Sequence, residues 1–168
     1  RRDGGSVFGA NNRWGYYPAV GGAWRIDKEN FMQNQEIFSD LKLRASYGET
    51  GNSSGFNAYT AQFISGSAGT FYYNGQQIGA YAPIQAANPD LKWEKTTTTN
   101  LGLDVSLLKG AITASVDVYN KKTTDMIFSY QVNQVLVPVG SIVANGGIMS
   151  NKGIEIALGA TPVKTDNF

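Results

Sequence analysis

Long stretches of strict two-residue alternation constrain this chain more than any other feature. Over 95–108, Leu101, Leu103, Val105 and Leu107 fall at one parity, and Asn100, Gly102, Asp104 and Ser106 at the other. Successive side chains of a strand point to opposite faces, so one face is apolar and the other polar or small. Thr96, Thr97, Thr98 and Thr99 extend the run with β-branched residues that favour strands. A short turn at 108–111 leads into the same pattern again. Ile112, Ala114, Val116 and Val118 face one way, and Thr113, Ser115, Asp117 and Tyr119 the other. Long strands joined by so short a turn form an antiparallel hairpin. Two more strands are expected over 41–47 and 154–159. A first strand is expected over 14–26, with Trp14, Tyr16, Val20 and Trp24 at one parity.

A soluble β-sandwich also alternates, but three features favour a membrane barrel. The hairpin strands reach about 12 residues, where globular strands centre on about 5–6. Charges at Arg44, Asp104, Asp117 and Glu155 sit well inside strands, on the face expected to meet a wet lumen. Connections alternate between short and long, as in outer-membrane barrels. Leu101, Leu103, Val105, Ile112, Val116, Ile154 and Ile156 are then expected to share one exposed, convex apolar face. If Trp14 and Trp24 lie on one tilted strand, they stand roughly 25 Å apart along the barrel axis, the height of the band between two aromatic girdles.

Composition narrows the function classes. Only 16% of residues are charged, with 20 glycines, where soluble domains carry about 25% charge. The formal net charge of +1 gives no basic footprint, so no nucleic acid partner is expected. The chain has neither histidine nor cysteine. That removes the Ser-His-Asp triad, thiolate chemistry and the commonest metal ligands. No enzyme activity, cofactor or metal is expected, although a carboxylate mechanism in a barrel enzyme stays open. No 18-residue apolar run marks a membrane-spanning helix. The best stretch, 135–149, is broken by Pro138, Gly140, Gly146 and Gly147. No apolar leader segment follows Arg1-Arg2-Asp3-Gly4-Gly5.

About five long strands are evident, or seven with hairpins inside the long connections at 49–92 and 121–151. The medium connection at 27–40 is expected to hold a helical turn over 27–32. The smallest barrels need about eight strands. The chain therefore either closes a barrel by oligomerising or is a piece of one. Its ending at Thr165-Asp166-Asn167-Phe168, with no turn closure, points to the latter. The expected fold is all-β: an antiparallel meander forming part of a large transmembrane β-barrel, with residues 1–168 as one partial barrel.

Six segments together carry a family resemblance. They are Asn12-Arg13-Trp14-Gly15-Tyr16-Tyr17-Pro18-Ala19-Val20, Leu41-Lys42-Leu43-Arg44-Ala45-Ser46-Tyr47-Gly48-Glu49-Thr50-Gly51-Asn52, Asn88-Pro89-Asp90-Leu91-Lys92-Trp93-Glu94, Thr98-Thr99-Asn100-Leu101-Gly102-Leu103-Asp104, Tyr119-Asn120-Lys121-Lys122-Thr123-Thr124-Asp125 and Asn151-Lys152-Gly153-Ile154-Glu155. In this order they resemble the SusC/RagA family of TonB-dependent outer-membrane transporters. The resemblance implies a 22-stranded barrel around an N-terminal plug, a location in the cell outer membrane among its lipids, and uptake of glycan or peptide nutrients. It also implies a SusD-like lipoprotein and TonB as partners. Relative to that pattern the chain holds no plug, TonB box or final strand, so no transport by this piece alone is expected. Each segment also has a structural explanation: Asn88-Pro89-Asp90 as a turn, Asn145-Gly146-Gly147 and Lys152-Gly153 as turn or bulge chemistry. The rival to the transporter is a soluble secreted β-sandwich that binds glycans, in which Leu101, Leu103 and Ile112 would be buried between sheets.

The residues 50–89 contain no Asp, Glu, Lys or Arg. Tyr72, Tyr73, Asn74, Gln76, Gln77 and Tyr81 are the candidate ligand-binding residues. Aromatics offer rigid stacking area and amides offer adaptable hydrogen bonds to a neutral polar ligand. Asn74-Gly75 is also a strong hairpin signal, and a protruding hairpin can serve as wall and present its tip. Two unpaired edge strands should make the isolated chain self-associate in detergent-free buffer. A monodisperse, cooperatively unfolding monomer in analytical ultracentrifugation would count against the partial-barrel expectation.

Overall fold

The computed structural model describes residues 1–135 and 138–161; the final Thr165-Asp166-Asn167-Phe168 lies outside the described residues. Among the described residues, eleven strands follow in order. They are β1 (Arg2–Gly4), β2 (Trp14–Tyr16), β3 (Ala19–Arg25), β4 (Phe38–Asn52), β5 (Ile64–Tyr73), β6 (Gln76–Gln85), β7 (Glu94–Leu107), β8 (Ile112–Thr124), β9 (Ile127–Gln131), β10 (Ser141–Asn145) and β11 (Ile148–Ala160). β3, β4, β7, β8 and β11 form one sheet in that spatial order. It is the expected antiparallel meander, open at β3 and β11. The remaining strands pair two by two: β1 with β2, β5 with β6, β9 with β10.

β7 has the expected length, shifted by one residue, whereas β4, β8 and β11 exceed the expected spans. β4 has 15 residues, β7 14, and β8 and β11 13 each. At about 3.3 Å per residue and a tilt of about 40°, 13 residues rise roughly 33 Å, more than the apolar band of an outer-membrane barrel requires. The turn after β7 is a 3-10 turn at Leu108–Gly110, with Leu108, Lys109 and Gly110 all at positive φ. The β3–β4 connection holds the expected helical structure as two 3-10 turns, Ile26–Lys28 and Asn30–Met32. The Trp24 indole N–H donates to Glu29 (2.7 Å), and Arg25 bridges Asp27 (3.1 Å) and Asp40 (2.9 Å). Burial raises the pKa of the Asp27 carboxyl, but Arg25 and Lys28 outweigh it and hold the group below its usual range.

The single strand expected over 14–26 is corrected: it is two strands broken at Tyr17-Pro18. Pro18 has no N–H to give a ladder. The Tyr17 N–H donates instead to Arg1, and β2 pairs with β1. β3 pairs with β4, Trp24 opposite Leu43 and Val20 opposite Tyr47. The girdle spacing derived for Trp14 and Trp24 assumed one continuous strand and no longer follows.

The chain divides into two compact units. The unit of residues 18–49, 97–122 and 149–168 contains most of the five-stranded sheet. The other, residues 1–17, 50–96 and 123–148, has its own core around Phe8, Tyr17, Leu91 and Trp93. The Trp93 ring lies 4.4 Å from that of Phe8 and 5.8 Å, edge-on, from that of Tyr17. The segment 88–94 organises this core. The Asn88 carboxamide accepts from the Asp90 N–H (3.1 Å) and donates to the Val143 carbonyl (2.8 Å). Leu91 is fully buried. The Asn145 side chain brackets Lys92, accepting from its N–H (2.9 Å) and donating to its carbonyl (2.8 Å). The structural explanation of Asn88-Pro89-Asp90 therefore holds, and Asn145 does more than make a turn.

The Tyr17 hydroxyl is buried with no hydrogen-bond partner among the described residues. Burial, followed by the negative charge of Asp3, pushes its pKa up to about 12, with Arg1 opposing. A raised tyrosine pKa means that the fold favours the neutral phenol. Its contribution to stability is intact below the unfolded value of 10.0 and is lost as pH rises towards 12. Tyr17→Phe should leave stability at neutral pH within about 1 kcal/mol of the parent and remove that alkaline loss, as read by denaturant unfolding in detergent. A Cβ on Gly51 would collide with the Tyr17 ring, so Gly51→Ala should destabilise by about 1–3 kcal/mol.

Candidate functional site

The candidate ligand-binding residues all lie on the β5–β6 hairpin, but not on one face of it. Asn74 and Gly75 form the two-residue turn at φ 51° and 79°. Positive φ at both central positions is the type I′ geometry that matches strand twist. Tyr73 pairs with Gln76, Tyr72 with Gln77, Phe71 with Ile78 and Thr70 with Gly79. Alternation then sorts the side chains. Tyr72, Gln77 and Tyr81 share one face with Thr70 and Gly79, and Gln77 donates to the Thr70 hydroxyl (2.7 Å). Tyr73 and Gln76 share the other face with Phe71 and Ile78. A bulge between Ser67 and Thr70, with Gly69 at φ 95°, lets Tyr81 pair with Ser67. Tyr72 and Tyr81 are 77% and 79% exposed. They flank Gly79, where a Cβ would meet nothing within 4 Å. The resulting surface is neutral: two phenol rings, an amide and a hydroxyl around an open glycine.

The five-stranded sheet is chemically two-sided. Leu101, Val118 and Ile154 line one groove, and Val20, Ala45, Tyr47 and Leu101 another. These contacts place the apolar parities of β3, β4, β7, β8 and β11 on a common face. None of the seven residues assigned to it is buried. Leu101 is 51% exposed, Ile112 42%, Ile154 67% and Ile156 66%. A sandwich would have covered them. An exposed apolar face shared by neighbouring strands marks a membrane or an interaction surface.

On the opposite face, Arg44 joins three strands. Its Nε and Nη2 donate to Asp104 (2.9 and 2.8 Å), and Nη2 also donates to Asp117 (3.0 Å). The Lys42 Nζ lies 2.9 Å from Asp104. Gly102 makes room for this cluster, since a Cβ there would press on both Arg44 and Asp117. The Asn100 Oδ1 and Asp117 Oδ1 atoms are buried with no hydrogen-bond partner among the described residues. The expected polar placement of Arg44, Asp104 and Asp117 is therefore found. Their direct mutual pairing was not foreseen. Cross-strand residues of opposite charge at matching parity were its only trace in the sequence.

Among the described residues, no group of three or more His, Cys, Asp or Glu side chains could hold a metal ion, and no helix is long and apolar enough to cross a membrane.

A family model described as TonB dependent receptor-like, beta-barrel matches residues 1–165. The chain is 38% identical over 175 residues to the TonB-dependent receptor SusC of Bacteroides thetaiotaomicron, covering 100% of this chain and 17% of SusC. It is 39% identical over 168 residues to the TonB-dependent receptor P26 of Formosa agariphila, again 100% of this chain and 17% of that protein. Among solved structures it is similar to the RagAB peptide importer in the open-open state. There the TM-score is 0.82 at 32% identity, over 96% of this chain and 17% of that one. The chain thus spans less than a fifth of the length of the curated relatives it matches.

The Arg44 cluster generates a stability prediction. Arg44→Met leaves two half-buried carboxylates without their shared partner, which should lower stability by about 1–3 kcal/mol. Arg44→Lys should recover only part of it, because an ammonium cannot make the two-pronged contact to Asp104. Urea unfolding in detergent reads both variants, and an unchanged midpoint for Arg44→Met would show that the cluster adds nothing to the fold.

Proposed function

The chain belongs to the TonB-dependent receptor β-barrel family, and on that premise we propose that it forms part of the wall of an outer-membrane nutrient importer. One observation supports this reading most: a single meander carries an exposed apolar face and a charged polar face on the same strands. Such a sheet suits a boundary between lipid and a wet lumen. It suits a secreted β-sandwich poorly, because among the described residues no sheet covers the apolar face. The family is one of transporters, and no catalytic role is assigned to this chain.

In this reading residues 1–168 act as one stretch of barrel wall in the cell outer membrane. The cargo is a glycan or peptide, and the similar RagAB assembly is a peptide importer. A SusD-like lipoprotein and TonB are the partners, TonB acting through parts of the receptor other than these strands. The β5–β6 hairpin is inserted in the connection from β4 to β7, at the strand ends opposite the short Leu108–Gly110 turn. In outer-membrane barrels the long connections lie on the extracellular side. Tyr72, Gln77 and Tyr81 form its ligand-facing surface. Tyr73 and Gln76, on the reverse, with Asn74 at the tip, remain candidates for contact with the ligand or with the lipoprotein. A neutral surface of this chemistry selects neutral polar cargo, since no charge is present to compensate a charged group.

The test is made in a family-length receptor carrying this sequence. Removal of residues 69–79 should reduce uptake of glycan or peptide, complex formation with the lipoprotein, or both. Tyr72→Ala with Tyr81→Ala should weaken cargo binding about tenfold or more while leaving the lipoprotein complex intact. Unchanged uptake and unchanged complex formation in the deletion would leave the hairpin with a wall role only.

A further inference from the structure

The apolar face of the sheet is not apolar to its ends. A groove of about 580 Å³ runs between β7, β8 and β11, and its lining includes Leu101, Val118, Ile154, Thr99, Asn120 and Lys152. The β8–β11 register can be read from the Thr161 N–H donating to the Ala111 carbonyl (2.8 Å). The close approaches of Gly159 to Thr113 and of Gly153 to Tyr119 keep that register along the pair. Ile154 then stands opposite Val118 and Lys152 opposite Asn120, with Lys122 two residues further on, opposite Ser150. Lys122 and Lys152 are exposed diagonal neighbours on one face, and neither has an ion-pair partner among the described residues. The nearby carboxylates Asp117 and Glu155 have the opposite parity and so belong to the opposite face. Two like charges at diagonal positions repel each other. Here they border an apolar groove at the end of the sheet remote from the short turn.

We propose that this groove is a binding site for a phosphate-bearing membrane lipid, with Lys122 and Lys152 on the phosphate and an acyl chain along Leu101, Val118 and Ile154. The inference rests on the reading that the apolar face meets lipid. An anionic head group removes the repulsion between the two ammonium groups, and the hydrocarbon stems of the lysines pack over the groove while their charges reach the interface. Asn120 and Thr99 offer hydrogen bonds at the same level. Both an anionic phospholipid and a phosphorylated glycolipid have this chemistry, and the experiment separates them.

A family-length receptor carrying this sequence is reconstituted in phosphatidylcholine nanodiscs doped with either phosphatidylglycerol or lipid A, and retained lipid is measured by native mass spectrometry. Lys152→Gln should reduce retention about fivefold, and Lys122→Gln with Lys152→Gln about thirtyfold. Lys121→Gln, one residue away but on the opposite face, should change nothing. Preference for one dopant identifies the lipid class. Full retention in the double variant, equal loss in Lys121→Gln, or displacement by millimolar inorganic phosphate would overturn the proposal. A nitroxide on Ile156→Cys, the only thiol this chain would contribute, checks the premise separately. Accessibility to oxygen but not to a water-soluble nickel chelate places the face in lipid. The reverse result removes both the membrane reading and the site, whereas lipid contact at residue 156 with lysine-independent retention removes the site alone.

Discussion

Hydrocarbon offers no hydrogen-bond partners, so a chain that crosses it must satisfy every backbone N–H and C=O internally. A β-sheet can do so only through its neighbours, and this requirement governs the five-stranded meander. Each long strand lies beside the next long strand in sequence, and four of the five strands are 13 residues or longer. Once the backbone is committed to those ladders, the side chains alternate, and the two faces can differ completely in chemistry. Ile154 and Ile156 stand on one side while Arg44, Asp104 and Asp117 pair on the other.

Much of this was legible because alternation is a local property. The hairpin of 95–119 can be read residue by residue, and its turn falls where the apolar parity has to reset. The Asn74-Gly75 turn was legible for a different reason: few residues tolerate positive φ, and two adjacent ones that do suggest a hairpin wherever it occurs. What could not be read locally depended on partners distant in sequence. The 14–26 segment alternates well enough for one strand, but Pro18 withholds a donor and Arg1 captures Tyr17. The parity pattern continues across a break it cannot detect.

The candidate site shows the same limit. Sequence placed six polar and aromatic residues in one loop, and the structure keeps them on one hairpin. Register then divides them between two faces, since pairing Tyr72 with Gln77 necessarily turns Tyr73 and Gln76 away. The bulge at Gly69, which the alternation of β5 does not show, decides that Ser67 is the residue opposite Tyr81. Asn145 is a related case. Beside two glycines it reads as turn chemistry, yet its carboxamide acts as a substitute strand, giving Lys92 both the donor and the acceptor that a neighbouring backbone would supply. The core of Phe8, Leu91 and Trp93 is held in place by such side-chain-to-backbone bonds, with little regular structure of its own.

The cluster of Lys42, Arg44, Asp104 and Asp117 contains two positive and two negative groups within direct reach of one another. Its field therefore cancels within a few ångströms and does not extend from the sheet. That patch of the face is rich in hydrogen-bonding atoms but electrically quiet at a distance. Added salt finds little net field to screen over this patch, and mobile ions are not concentrated there.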